Sequence, residues 1–167
     1  KRGCKVFFSA DGCDELLGGQ QIYKEIFSKK FNIQNNISPY SSILKSQVEI
    51  FDKTSNKKLL FKFNKFWRKT LNSYNFIKDR KERNIQSSLF LDYFMQATNV
   101  GNRSNDLVCC DNSIEPRNIF IQKNILKIIV NLPLKYKINF NSIDEKFAQK
   151  YILKNFFEKY FDKKLIF

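Results

Sequence analysis

The stretch Val6-Phe7-Phe8-Ser9-Ala10-Asp11-Gly12-Cys13-Asp14-Glu15-Leu16-Leu17-Gly18-Gly19 decides how this chain is read. Residues 4–8 form a short apolar run that ends at small, turn-forming residues, which predicts a buried strand of the parallel-sheet kind. Asp14 and Glu15 then open a helical pattern whose core contacts are Leu16, Leu17, Ile22, Ile26 and Phe27. Acidic residues favour a first turn through the helix dipole. Gly18 and Gly19 within that pattern cost about 1 kcal/mol each relative to Ala, which points to a close backbone approach. The amides of a strand–turn–helix junction form a nest for anionic oxygens. Carboxylates beside such a nest are reconciled with it if a divalent cation neutralises the anion and Asp11 or Asp14 helps to hold that cation. A calcium loop fits less well, because the spaced acids and closing Glu of an EF-hand are missing.

The chain has 167 residues, the size of one domain or a large piece of one. It contains no histidine, which excludes Ser-His-Asp triads, Cys-His pairs and His-ligated metals. No run approaches the length of a membrane span, and the first apolar run is too short for a signal peptide. Cys4, Cys13, Cys109 and Cys110 have spacings unsuited to zinc, and the adjacent pair is a poor disulfide; reduced thiols and a cytoplasmic location are expected. The net charge of +14 has two readings: a footprint for nucleic acid or phosphorylated ligands, or the Lys-, Asn-, Ile- and Phe-rich composition of an AT-rich genome. The charge is spread along the chain without a dense Arg cluster, so the compositional reading is preferred and nucleic acid is not an expected partner.

Farther along, residues 32–40 read as a polar loop closed by Ser38-Pro39. Leu60, Phe63, Trp67, Leu71 and Tyr74 fall at helical spacing and form one apolar stripe facing the core. A further helix is expected over 85–97. Residues 100–118 read as a polar, irregular and functional loop. A short apolar helix follows over 122–131, stopped by Leu132-Pro133. A final amphipathic helix over 144–161 turns Phe147, Ile152, Phe156 and Tyr160 toward the core.

The run from Phe8 to Gly19 resembles the "LSGDGxDELFGGY" segment of the asparagine synthetase family's synthetase domain. Other matches follow in order. Asp106 through Gln122 resembles "DRxSMAxSxExRxPFLD", Leu132-Pro133 sits where the family has Leu-Pro, and Gln149-Lys150-Tyr151-Ile152-Leu153-Lys154 resembles "EKxILR". The resemblance implies an α/β fold: a mainly helical C-terminal part of an adenine-nucleotide-hydrolase-like parallel-sheet domain, with one N-terminal strand and about six helices, residues 1–167 being a single partial domain. It also implies an ATP-dependent amidotransferase that adenylates a small-molecule carboxylate, aspartate or a related acid. Ammonia derived from glutamine then displaces AMP, with ATP and Mg2+ as cofactors. Carried over by position, Asp11 and Lys150 are catalytic. Ser9, Ala10, Gly12 and Cys13 belong to the pyrophosphate loop, and Asp14 with Asp11 serves the metal. Glu15, Asp106, Glu115 and Arg117 support the site, the last two bracing the loop behind it. Read from the residues alone, Lys150 is a lysine on a helix face and Glu115–Arg117 an ion pair.

The departures from the family are specific. Ala10 replaces a glycine, so its Cβ would crowd the ligand if that position needs positive φ. Leu107 replaces the arginine after Asp106, with Arg103 one turn earlier as a substitute. Val100-Gly101-Asn102 lacks the carboxylate often found there. The family's Ser-Gly-Gly-x-Asp-Ser nucleotide loop and catalytic N-terminal cysteine do not occur. The expectation is therefore a C-terminal piece, inactive by itself, whose partner is a missing N-terminal segment of the same protein. The alternatives are an inactive remnant or helical binding module and, more weakly, a basic nucleic-acid-binding domain.

Overall fold

A computed structural model describes residues 3–20, 53–142 and 148–166. Strand β1 (Val6–Ser9) leads through the turn at residues 10–12 into helix α1 (Cys13–Leu17). Helix α2 (Lys53–Ser73) is followed by α3 (Arg80–Asp92), which runs without a break into a π-helical segment, Tyr93–Gly101, and then into α4 (Asn102–Asp111). Strand β2 (Glu115–Asn118), α5 (Lys123–Asn131), α6 (Leu134–Lys137), α7 (Tyr151–Phe157) and α8 (Lys163–Ile166) complete the order. The fold is a mainly helical α/β arrangement. Among the described residues no helix is long and apolar enough to cross a membrane.

β1 pairs with β2 in parallel, Val6 opposite Glu115 and Ser9 opposite Asn118. The parallel expectation holds and the buried one does not, since Phe7 and Phe8 are 47% and 65% exposed. Neither face of this two-stranded ribbon is sealed by the described residues. Residues 100–118 are also not an irregular loop. Most of them are helix, and Glu115–Asn118 is the second strand.

The stripe on α2 is confirmed at its centre. Trp67 is 1% exposed, Tyr74 beyond the helix end is buried too, and Leu60, Phe63 and Leu71 are half-buried. α3 starts where Asp79 accepts a hydrogen bond from the Glu82 amide at 2.6 Å, an N-cap that satisfies one of the helix's orphan donors. The helix expected over 85–97 thus begins earlier and continues farther, the π-segment joining it to α4. α5 matches its expected place before Leu132-Pro133.

The core beside the N-terminal junction gathers Cys13, Leu16 and Leu17 of α1 with Tyr93 and Ala97 of the π-segment, and Phe120, Leu126 and Leu153 pack against it. α1 ends at Leu17, where Gly18 takes the left-handed conformation (φ 73°) as the C-cap. Ile22, Ile26, Phe27, Phe147 and the loop at 32–40 lie outside the described residues. The last expected helix is interrupted within its described residues: Ala148 is helical, Lys150 is left-handed (φ 51°), and α7 starts at Tyr151. Ile152, Phe156 and Tyr160 are 37%, 52% and 67% exposed instead of turned to the core.

Candidate functional site

The turn after β1 is built by its own hydrogen bonds. The Cys13 amide donates to the Ala10 carbonyl at 3.1 Å, and the Asp11 amide donates to Ser9 Oγ at 3.2 Å. Two amides of the expected anion nest are therefore engaged within the turn. Positive φ falls on Gly12 (88°). Ala10 does not have positive φ, so its Cβ brings no backbone strain. At Gly12 a Cβ would stand 3.1 Å from the Tyr93 ring, tighter than ordinary contact. Glycine is needed there twice over, for its backbone conformation and for its lack of bulk.

Lys150 reaches this junction from the far end of the chain. Its amide donates to the Leu17 carbonyl at 3.2 Å, one of the acceptors that α1 leaves open at its C-terminus. With the backbone pinned there, Lys150 Nζ makes an ion pair with Asp14 Oδ1. That oxygen is buried and accepts no hydrogen bond from the described residues, so the ammonium charge is its compensation. The pair as a whole is half-exposed. Gly19 lies directly beneath it, where a Cβ would run into Asp14 Oδ1 and Lys150 Cε. This is the close approach that the glycine pair demanded. Gly18, in turn, faces Ile138, 2.7 Å from where a Cβ would be.

A second cluster sits at the end of β1 and in the turn that follows it. Ser9 Oγ donates to Asp11 Oδ2 at 2.6 Å, and Asn105 Nδ2 of α4 donates to the same oxygen. These residues border a cavity of about 390 Å³ between the end of β1, α4 and β2, into which Arg103, Asp106 and Asn118 also project. Asn118 Nδ2 donates to Asn102 Oδ1 at 2.8 Å and ties α4 to β2. Gly101 lies against Asp11, a Cβ there falling 3.6 Å from Asp11 Cγ. The position that lacks a carboxylate is thus a contact position of Asp11.

The remaining expected residues divide. Cys13 is buried; burial pushes its thiol up to about 11, Lys150 opposes the rise, and Asp14 and Glu15 add to it. Glu15 is buried and accepts from Gln20 Nε2 at 2.7 Å. Asp106 sits on the cavity rim, where its charge is the first cause of a raised Cys110 thiol. Arg117 Nε and Glu115 Oε1 pair at 3.0 Å, but both side chains are more than half exposed. In the ladder of β2, Glu115 stands opposite Val6 and Arg117 opposite Phe8. All four cysteines are free.

Sequence reading missed Asn105, Asn102, Asn118 and Tyr93. The signal for Asn105 was available: Gly101 and Asn105 are four apart and share a helix face, but a segment read as loop is not searched for helical spacing.

Asp11 and Asp14 occupy separate clusters, and among the described residues no group of three or more ligating side chains gathers. One or two carboxylates at this turn would suit a hard cation whose remaining ligands come from elsewhere.

No curated protein and no solved structure shows significant similarity to the chain. A family model described as asparagine synthase matches residues 1–167, and with that match over its full length the chain belongs to the asparagine synthase family.

Proposed function

We propose that the chain forms part of an ATP-dependent amidotransferase that adenylates a small carboxylic acid, aspartate or a related compound, and converts it to an amide with glutamine-derived ammonia. The observation that carries this reading is the meeting of Lys150 with Asp14 at the turn that holds Asp11. A fixed ammonium beside a glycine-containing turn suits a polyphosphate, and its charge counts for most in the transition state, where negative charge builds on the leaving group. Magnesium, held by Asp14 and the phosphates, would supply further charge neutralisation when bound.

A carboxylate oxygen of the substrate attacks the α-phosphorus of ATP and pyrophosphate leaves. Ammonia then attacks the acyl carbon, AMP departs with the carboxylate oxygen, and one proton leaves the nitrogen. Lys150 faces the departing pyrophosphate. Asp11, on the cavity side, accepts the proton. Histidine is not required for either step. Residues 1–167 alone are proposed to be inactive, since they contain no Ser-Gly-Gly-x-Asp-Ser nucleotide loop.

Product analysis tests this. With ATP, magnesium, aspartate and ammonium, the full-length protein that contains residues 1–167 is expected to release AMP and pyrophosphate in step with amide. Lys150→Met should lower the rate at least a hundredfold. Release of ADP and orthophosphate contradicts the reading.

A further inference from the structure

We infer that Asn105 is the positioning residue of Asp11: its carboxamide, together with the Ser9 hydroxyl, occupies Oδ2 and leaves Oδ1 to meet the attacking nitrogen. This rests on the amidotransferase reading above.

Asp11 Oδ2 receives two donors, Ser9 Oγ at 2.6 Å and Asn105 Nδ2. The Ser9 hydroxyl is itself fixed, accepting from the Asp11 amide at 3.2 Å and lying 3.4 Å from Asn105 Nδ2. Two donors fill the lone pairs of one carboxylate oxygen. Among the described residues, Oδ1 has no hydrogen bond. The two oxygens of Asp11 are therefore inequivalent, one fixed by the protein and one available.

The clamp is framed by three elements. Asn105 and Asp11 stand on different elements, α4 and the turn after β1. α4 is tied to β2 by the Asn102–Asn118 bond at 2.8 Å, and β2 is laddered to β1, ending at Ser9 opposite Asn118. The clamp thus closes a ring of β1, β2 and α4, the kind of support that holds a reacting group within a fraction of an ångström. Gly101, the last residue of the π-segment and four before Asn105, keeps the flank of Asp11 open. The chemistry of the donor matters too. A carboxamide orients the carboxylate without adding charge, whereas a carboxylate at position 105 would compete with Asp11 for one proton.

The test has two arms. In the 13C,15N-labelled protein, a through-hydrogen-bond coupling between Asn105 Nδ2 and Asp11 Cγ is expected, and it disappears in Asn105→Leu while backbone shifts away from α4 stay in place. In the amide-forming assay, Asn105→Leu is expected to lower kcat ten- to a hundredfold with the KM for ATP within twofold. Asn105→Gln, which keeps the amide, should recover part of the loss. Ser9→Ala, which removes the other donor, provides a second route should Asn105→Leu fail to fold. Absence of the coupling in the folded protein overturns the inference, as does a kcat unchanged in Asn105→Leu. Coupling present without any amide formation by the full-length wild-type protein that contains these residues overturns the amidotransferase reading instead and leaves the clamp standing.

Discussion

Lys150 Nζ is ion-paired with Asp14 Oδ1, and the same lysine's amide is held by the carbonyl of Leu17. One residue thus closes the C-terminal end of α1 and places a cation on its first turn. A lysine that was only a solvated helix face would need neither contact.

Lys150→Met separates binding from folding. The pair is half-exposed, so its loss should cost at most about 1 kcal/mol in urea denaturation. Affinity for magnesium pyrophosphate should fall at least tenfold by calorimetry. A large loss of stability with unchanged affinity would make the pair purely structural.

Gly19→Ala should mimic Lys150→Met in the same calorimetric measurement, because the added Cβ falls 2.9 Å from Asp14 Cγ and within the ion pair. Gly12→Ala is expected to act on the fold instead. With φ at 88° and Tyr93 at 3.1 Å, it should destabilise by about 1–3 kcal/mol.

Lys137 sets a pH dependence. Its side chain is 1% exposed, donates to Gln86 Oε1 at 2.6 Å, and burial pushes its pKa down to about 7, partly opposed by Glu82. Between pH 7 and 10.5 the unfolded chain binds a proton that the folded chain does not. Stability therefore rises with pH across that window, by up to ~1.4 kcal/mol per unit, and the penalty is fully present below pH 7. Urea denaturation across the window should show this slope in the wild-type protein and not in Lys137→Met. Equal slopes in both proteins contradict the account.

Thiol labelling orders the cysteines. At pH 8 iodoacetamide should modify exposed Cys4 first and Cys110 more slowly, since Asp106 raises its thiol. Buried Cys13, pushed up to about 11, should react only on unfolding. Mass spectrometry of the digested protein reads the order.

The junction from Val6 to Gly19 was legible because local rules decide it: an apolar run, a turn of small residues, then acids opening a helix. The Trp67 stripe was legible for the same reason, one period over several turns. Phe7, Phe8, Phe156 and Tyr160 misled because apolar character states a preference for burial and not what is available to cover the residue. Residues 100–118 misled because polarity was read as irregularity, while α4 is a helix with polar contacts to Asp11 and Asn118. Lys150 next to Asp14, and Asn105 next to Asp11, are tertiary facts. Motif order pointed to the first, and nothing but the fold revealed the second.

The most direct measurement uses substrate carboxylate labelled with 18O in the amide-forming reaction of the protein. If the carboxylate is adenylated at this site, one labelled oxygen appears in AMP for each amide made. Label in orthophosphate, or in neither phosphate product, would contradict adenylation.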